Sequence, residues 1–138
     1  MAQHNQLGKW GEEIACEKLI TEGYAICERN WRVGSYEIDI IAMKGNRIVF
    51  VEVKTRSNDY VDPLDSIDNK KILYICRSAN AYIKQYDIPH EPQFDIILIV
   101  GTPETGYKLE HFPDAFLPPL ASFKYLQVEA NTIHALQE

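Results

Sequence analysis

The spacing of apolar residues along the chain predicts two helices. Between Leu7 and Ile20, apolar and charged residues recur with helical spacing, and Gly23 follows where a left-handed residue often ends a helix. Apolar residues recur every three or four positions again over residues 67–84, after a polar loop that contains Pro63. Each segment is long enough for several helical turns, and the helices lie on either side of a strand-rich region.

Five other stretches have the composition of β-strands. Residues 24–32, 36–43 and 47–56 follow one another with short turns, which predicts an antiparallel meander. The apolar run 93–100 is typical of a strand buried on both faces, and we expect it at the sheet centre. Residues 107–112 alternate as an edge strand does. This order predicts an α/β domain around a mixed sheet.

Helical spacing separates the two adjacent glutamates of the first helix. Glu12 falls at the centre of a face of small and apolar residues, whereas Glu13 falls on a charged side that faces water. The face around Glu12 consists of Gly8, Ala15, Cys16 and Leu19. A second apolar stripe lies nearly opposite and consists of Leu7, Trp10 and Ile14. Either the C-terminal tail or a partner subunit would cover this stripe.

Composition narrows the class of protein. The chain has 138 residues, which suits one domain, and 46% of them are hydrophobic, as in globular proteins. It has no apolar stretch of the roughly 20 residues that a membrane span needs, and its N-terminus lacks the features of a signal peptide. We therefore expect a cytoplasmic protein without membrane contact. Three widely spaced cysteines indicate neither a disulfide framework nor a zinc site.

The net charge of −6 argues against nucleic acid as a partner, but its distribution does not. Residues 29–84 contain ten basic and seven acidic residues, a balance of +3, so the flanks together carry −9. Ordinary surface charge with chance clustering explains the same numbers. The basic residues that we expect to contact phosphates are Arg32, Lys54, Arg56, Lys70 and Lys71.

Charged residues inside two predicted strands are the candidate chemistry. Glu52 and Lys54 lie two positions apart and so project from one face of their strand. Counting back from the turn at residues 44–46 places Asp39 level with about residue 51, within one position of Glu52. In the strand of Asp39, the alternation predicts Glu37, Asp39 and Ile41 on one face and Ile38, Ile40 and Ala42 on the other.

Two carboxylates held close together repel each other, and burial makes this worse unless a cation fills the gap. Mg²⁺ or Mn²⁺ would fill it, held by Asp39 and Glu52, because these ions prefer one or two carboxylates, waters and phosphate oxygens. Such an ion would activate a water for phosphodiester hydrolysis, with Lys54 orienting or deprotonating the water and Glu12 holding an outer-shell water or a second ion. An E-x-K pair alone is equally explained as an edge-strand salt bridge worth about 0–1 kcal/mol.

Asp95 stays open as a further acid near the site, and the histidines show no metal-ligand spacing.

Three motifs in order carry a resemblance to a known family. "GKWGEE", "AICERNWRVGSYEIDIIA" and "IVFVEVKTR" resemble the YraN-like family of small bacterial proteins. That family in turn resembles archaeal Holliday-junction resolvases and the PD-(D/E)xK nuclease superfamily. The resemblance runs from about Leu7 to Leu120. Tyr36 departs from the family pattern because a glycine usually precedes Glu37, and the superfamily's proline is replaced by Ile38.

The resemblance implies a restriction-endonuclease-like αβββαβ core formed by residues 1–120, with a C-terminal tail of uncertain structure at 121–138. It implies that Glu12, Asp39, Glu52 and Lys54 correspond to the superfamily's helix glutamate, strand aspartate and E-x-K. A metal-dependent DNA endonuclease, selective for branched DNA, is the function that follows. A twofold dimer would suit paired cuts across a junction, although no sequence feature demonstrates one.

Two other functions fit the same sequence. One is a non-catalytic module that binds nucleic acid or recruits a repair partner on the same fold. The other is a structural interaction domain in which the charged residues form a satisfied surface ion pair. The presence of all three acids together with Lys54 favours the enzyme, because a module that only binds phosphate gains nothing from carboxylates facing it.

Overall fold

A computed structural model describes residues 2–58 and 68–116 of the chain, with side chains from residue 6 onward. The elements are α1 (Ala2–Thr21), β1 (Ala25–Val33), β2 (Tyr36–Lys44), β3 (Arg47–Arg56), α2 (Asn69–Gln85), β4 (Glu91–Thr102) and β5 (Gly106–Phe112). The αβββαβ order is confirmed, and α1 begins five residues earlier than the apolar pattern predicts. The predicted tail at 121–138 lies outside the described residues.

The five strands form one mixed sheet in the order β1-β2-β3-β4-β5. Neighbouring strands are antiparallel except β3 and β4, which are parallel because α2 crosses over between them. The prediction that the apolar run 93–100 forms the central strand is wrong, since β3 occupies that place. β5 returns beside β4 and forms the outer edge, which leaves β4 one position off centre. Its predicted burial is confirmed, with residues 94–99 all buried.

The helices cover opposite faces of the sheet, and each face has its own core. Along β3 the side chains alternate between them, so that Ile48 and Phe50 face α2 whereas Val49 and Val51 face α1. The α1 side also contains Ala15, Cys16 and Leu19, the small and apolar face predicted around Glu12. Among the described residues, no helix is long and apolar enough to cross a membrane.

Strand β5 contacts the second apolar stripe of α1 through Trp10. The Trp10 ring packs edge-on against Tyr107 of β5, with ring centroids 5.4 Å apart, and Trp10 and Ile14 both contact the α1-side core. Glu13 lies on the outer side, as predicted, where its Oε1 is 2.8 Å from Arg29 Nη2 of β1. The helix ends at Thr21, and the φ of 92° at Gly23, two residues on, confirms the predicted left-handed residue.

One glycine of α1 sets how closely the helix lies on the sheet. A Cβ at Gly11 would lie 2.0 Å from Oγ1 and 3.0 Å from Cβ of Thr55 in β3, well inside van der Waals contact. Only a residue without a side chain lets the helix backbone come this close. The close approach fixes the position of the next residue along the helix, Glu12, over the end of β3.

We expect Gly11→Ala to destabilise the fold by about 1–3 kcal/mol, because the added methyl group must push α1 away from Thr55. Gly8→Ala is the matched control, since nothing lies within 4 Å of its Cβ and a helix interior favours alanine by about 1 kcal/mol. Urea unfolding of both variants measures the difference. Equal stability of the two variants would contradict the close packing of α1 on β3.

Candidate active site

The pairing between β2 and β3 ends immediately before the two candidate acids. Paired residues run from Lys44↔Arg47 at the turn to Ile40↔Val51, and the next positions on the two strands are Asp39 and Glu52. Beyond this point, Asp39 Oδ2 accepts a hydrogen bond from the backbone N–H of Val53 at 2.8 Å. A carboxylate thus takes the bond that a ladder carbonyl would otherwise accept. The register predicted by counting back from the turn is confirmed to within one residue.

The alternation of side chains along β2 is interrupted at Asp39. Ile41 faces α2 and Ile40 faces α1, as the pattern predicts, but Ile38 faces α2 together with Ile41. The predicted sharing of one face by Ile38 and Ile40 is therefore wrong. The irregularity coincides with the end of regular pairing, and Asn30 on β1 has a positive φ of 53° between the pairs Arg29↔Ile40 and Trp31↔Ile38. A regular strand of period two does not describe this part of the sheet.

Glu52 is the buried acid on which two lysines converge. Its side chain is 6% exposed, and its Oε1 lies 3.6 Å from Lys54 Nζ and 3.3 Å from Lys71 Nζ. Lys54 comes from the same strand, two residues on, as the E-x-K spacing predicts. Lys71 comes from the first turn of α2, where its N–H donates to the Asp68 carboxylate that caps the helix, at 2.8 Å. The sequence did not predict the contact between Lys71 and Glu52, because it joins residues far apart along the chain.

Burial and like charge together disfavour ionised acids here. The pKa of Asp39 is raised well above its usual value, first by burial and then by the charge of Glu52, and the Val53 N–H only partly offsets this. Burial also raises the pKa of Glu12, with a further contribution from the charge of Glu37. A hydrogen bond with Asn30 acts in the opposite direction on Glu12. The acids therefore influence one another electrostatically, and an added cation would relieve their repulsion.

The capacity of this site for a metal rests on two carboxylates. Over residues 2–58 and 68–116, no three histidine, cysteine or acidic side chains come together as a metal-binding group. The assignment of Asp39 and Glu52 as metal ligands, with Glu12 outside the first coordination shell, remains a prediction. Two carboxylates suit Mg²⁺ or Mn²⁺, which keep several waters and bind substrate oxygens.

The five basic residues predicted to contact phosphate lie in different environments. Lys54 and Lys71 reach Glu52, as described above. Arg32 Nη2 is 3.1 Å from Glu37 Oε2, its partner across the β1–β2 hairpin. Arg56 Nη1 donates to the Thr55 carbonyl at 3.1 Å, and Lys70 Nζ lies 5.8 Å from the centroid of the Tyr74 ring. The phosphate-binding roles remain predictions.

Asp95, which the sequence left open as a further acid, belongs to a separate buried network. It is fully buried, and its carboxylate accepts from Gln93 Nε2 at 2.9 Å and from the Asp114 N–H at 3.1 Å. His111 Nε2 lies 2.7 Å from Asp95 Oδ2, and the histidine side chain is 12% exposed. The network joins β4 to β5 and to the residues after it, which gives Asp95 a structural role.

Comparison with known proteins places the chain among bacterial relatives. Residues 11–99 match the model of a family described as "Uncharacterised protein family UPF0102". A UPF0102 protein of Bacteroides thetaiotaomicron is 47% identical over 122 residues, which cover 87% of this chain and 99% of that protein. The UPF0102 protein of Phocaeicola vulgatus is 43% identical, with 87% of this chain and 99% of that protein covered. The one of Flavobacterium psychrophilum is 45% identical, with 84% of this chain and 98% of that protein covered. The resemblance to the YraN-like family is confirmed.

Among solved structures, the chain is similar to Pyrococcus furiosus SfsA in complex with Ca²⁺. The TM-score is 0.36 and the sequence identity is 15%, with 80% of this chain and 63% of that chain covered. Similarity at this level supports no inference about activity or bound ions.

We expect Asp39→Asn to stabilise the metal-free protein near neutral pH by about 0.5–2 kcal/mol, since it removes a partly buried charge beside Glu52 and still accepts from Val53. A raised pKa means that the folded state binds more protons than the unfolded state above the ordinary aspartate pKa of about 3.9. Wild-type stability therefore falls as pH rises through the pKa of folded Asp39, and the advantage of asparagine grows over the same range.

Urea unfolding in EDTA across a pH series measures this advantage. Glu110→Gln, an exposed acid on β5, serves as the control and should show no comparable pH dependence. A difference between wild type and Asp39→Asn that stays constant from acid to neutral pH would contradict the burial of the Asp39 charge.

Proposed function

The chain belongs to the UPF0102 family, and we propose that it is a metal-dependent endonuclease that hydrolyses phosphodiester bonds in DNA. One observation carries the proposal: Asp39 and Glu52 meet where β2 and β3 stop pairing, with two lysine ammonium groups directed at Glu52. An arrangement of acids that repel each other is costly to fold, and a catalytic role explains why it is retained.

The donor set fits a hard divalent cation. Asp39 and Glu52 would hold Mg²⁺ or Mn²⁺, whose charge would offset the burial and the repulsion from Glu52 that raise the pKa of Asp39. When bound, such an ion lowers the pKa of a coordinated water and neutralises charge that develops on the phosphate. The protein's own side chains would orient the attacking water and offset the charge of the phosphate.

Lys54 is the residue that we assign to the attacking water. Its side chain is 17% exposed and its Nζ lies 3.6 Å from Glu52 Oε1, so it is held next to the acids while still reached by solvent. From there it orients the water and offsets phosphate charge. Lys71 is more exposed, at 41%, and contributes a second positive charge for the phosphate. Glu12, held by Asn30, positions a water outside the metal shell.

The finer details of the proposal rest on the family resemblance. A preference for branched DNA follows from that resemblance, and a twofold dimer would suit paired cuts across a junction. Arg32, Arg56 and Lys70 are proposed as contacts to the DNA backbone around the scissile phosphate.

A non-catalytic nucleic-acid-binding module is the second candidate, and the lysines favour it. Because Lys54 and Lys71 already lie within 4 Å of Glu52 Oε1, they balance its charge without a metal ion. In that case the ion pairs are structural, and the basic residues hold nucleic acid without cutting it. The two candidates differ in whether metal ions bind and whether DNA is cleaved.

Cleavage assays separate these candidates. Purified protein is incubated with labelled four-way junction, flap, single-stranded and duplex DNA in Mg²⁺, in Mn²⁺ and in EDTA. We expect metal-dependent cutting that falls to background in Asp39→Asn and by about 10²–10⁴-fold in Lys54→Met. Glu110→Gln is the matched control for loss of an acid and should cut as wild type does.

Metal binding is measured separately by thermal unfolding with and without Mn²⁺. An ion that binds only the folded state raises the melting temperature of wild type, and Asp39→Asn should lose most of this increase. DNA binding without cutting in any metal, together with no Mn²⁺ effect on melting, would reject the endonuclease and leave the binding module.

A further inference from the structure

Two tyrosine rings stack on each other at the rim of the candidate active site. The centroids of Tyr36 and Tyr74 are 4.3 Å apart, and the ring planes differ by 24°. Tyr36 is the first residue of β2 and pairs with Val33 across the β1–β2 hairpin, whereas Tyr74 lies in α2. This tyrosine pair therefore joins the hairpin end to the helix that carries Lys71.

The tyrosine pair lies close to the candidate acids along both elements. Tyr36 is three residues before Asp39 on β2. Tyr74 is three residues after Lys71, so the two share one face of α2, and Lys71 Nζ is 3.3 Å from Glu52 Oε1. A ligand in contact with the tyrosine pair would therefore come within reach of the lysine that touches Glu52.

The other aromatic residues on this side of the sheet are used differently. Trp31, Phe50 and Tyr82 pack in the core between the sheet and α2, with Phe50 and Tyr82 buried. Tyr36 and Tyr74 belong to neither of the two buried clusters formed by the described residues, and both are partly exposed. Core packing accounts for the first group but leaves the partly exposed stack of Tyr36 and Tyr74 without an explanation.

Positive charge lies next to the partly exposed Tyr74 ring. Lys70, itself exposed, places Nζ 5.8 Å from the centroid of the Tyr74 ring, within the range of a cation–π contact. Aromatic faces next to lysines are the combination that binds single-stranded nucleic acid, because each base stacks on a ring while the lysines neutralise phosphates. A continuous duplex keeps its bases stacked within the helix and offers no free base face to such a surface.

We propose that the tyrosine pair stacks an unpaired base and so selects DNA with a single-stranded segment at the cleavage site. This inference deepens the proposed nuclease function and rests on it for the presence of a scissile phosphate. The unpaired base continues the ring stack, Lys70 contacts the backbone beside it, and the adjoining phosphate lies towards Lys71 and Glu52. Tyr36 and Tyr74 act in substrate selection and have no part in the hydrolysis.

A purely structural role makes a different prediction. If the tyrosine pair only holds the hairpin against α2, its removal lowers stability and weakens every DNA ligand by a similar factor. A base-stacking role instead weakens single-stranded DNA selectively. The ratio of single-strand to duplex affinity therefore separates the two roles even when a variant loses some stability.

The test measures binding in EDTA, where cleavage does not interfere. Fluorescence anisotropy compares a labelled single-stranded oligodeoxynucleotide with the duplex of the same sequence. Wild type should prefer the single strand. Tyr36→Leu and Tyr74→Leu should each weaken single-strand binding by about 5- to 100-fold, with duplex binding changed by less than about 3-fold. Tyr36→Phe keeps the ring and should bind as wild type does.

Tyr107→Leu is the matched control, because Tyr107 is also exposed, at 48%, and lies on the far edge strand β5. It should leave both affinities unchanged. A single strand that contains the fluorescent base 2-aminopurine gives a second reading on wild type alone, since stacking on the tyrosine pair should quench its emission. This reading keeps the proposal open to refutation if the leucine variants fail to fold.

The proposal is overturned if wild type binds both DNAs equally, if the leucine variants weaken both by the same factor, or if 2-aminopurine emission stays unchanged on binding. These results are independent of the cleavage assay. Selective loss of single-strand binding without cutting in any metal would remove the nuclease function and support the stacking surface. Metal-dependent cutting with unaltered single-strand binding in the leucine variants would remove the stacking surface and support the nuclease function.

Discussion

The repulsion between the buried carboxylate of Glu52 and the partly buried carboxylate of Asp39 is the constraint around which one end of this sheet is organised. Asp39 and Glu52 are adjacent because β2 and β3 pair regularly from their turn and then separate, and the Val53 N–H keeps the Asp39 side chain in the opening. The charge of Glu52 makes the ionised form of Asp39 less favourable. Positive charge must therefore lie close to the acids, and Lys54 of β3 and Lys71 of α2 provide it.

Both helices contribute to this end of the sheet, from opposite faces. On one face α1 brings Glu12 to the strand ends, where Asn30 holds it. On the other face α2 begins with an aspartate cap and so places Lys71 in its first turn, against Glu52. Short local signals, a cap at one helix and close packing at the other, thus decide which charges meet. Strands β4 and β5 are joined by the buried Asp95 and by His111, and Asp95 lies level with Val51, one position before Glu52 on β3.

Much of the fold and of the site follows from patterns that a single strand or helix carries. Period-two alternation next to a short turn is enough to bring Asp39 level with Glu52, because antiparallel pairing is determined by the turn. Helical spacing is enough to separate Glu12 from Glu13. What sequence could not provide depends on contacts between distant segments. The order of strands after the α2 crossover is one example, since burial of β4 does not distinguish a central strand from its neighbour.

The placement of Ile38, Lys71 and His111 also depends on features that local sequence patterns do not contain. Ile38 changes face because pairing becomes irregular at Asp39, and nothing in a run of isoleucines signals that change. Lys71 and His111 each find a buried acid that lies far away in sequence, which makes their roles invisible to spacing rules.

The contact between Gly11 and Thr55 has a consequence for how this chain can diverge. With almost no free space between helix and strand at this point, any enlargement at one position must be matched by a reduction at the other. The two sites should therefore evolve as a coupled pair. Because the neighbouring Glu12 moves with the helix backbone, substitutions at Gly11 or Thr55 would shift Glu12 relative to the other acids without replacing any charged residue.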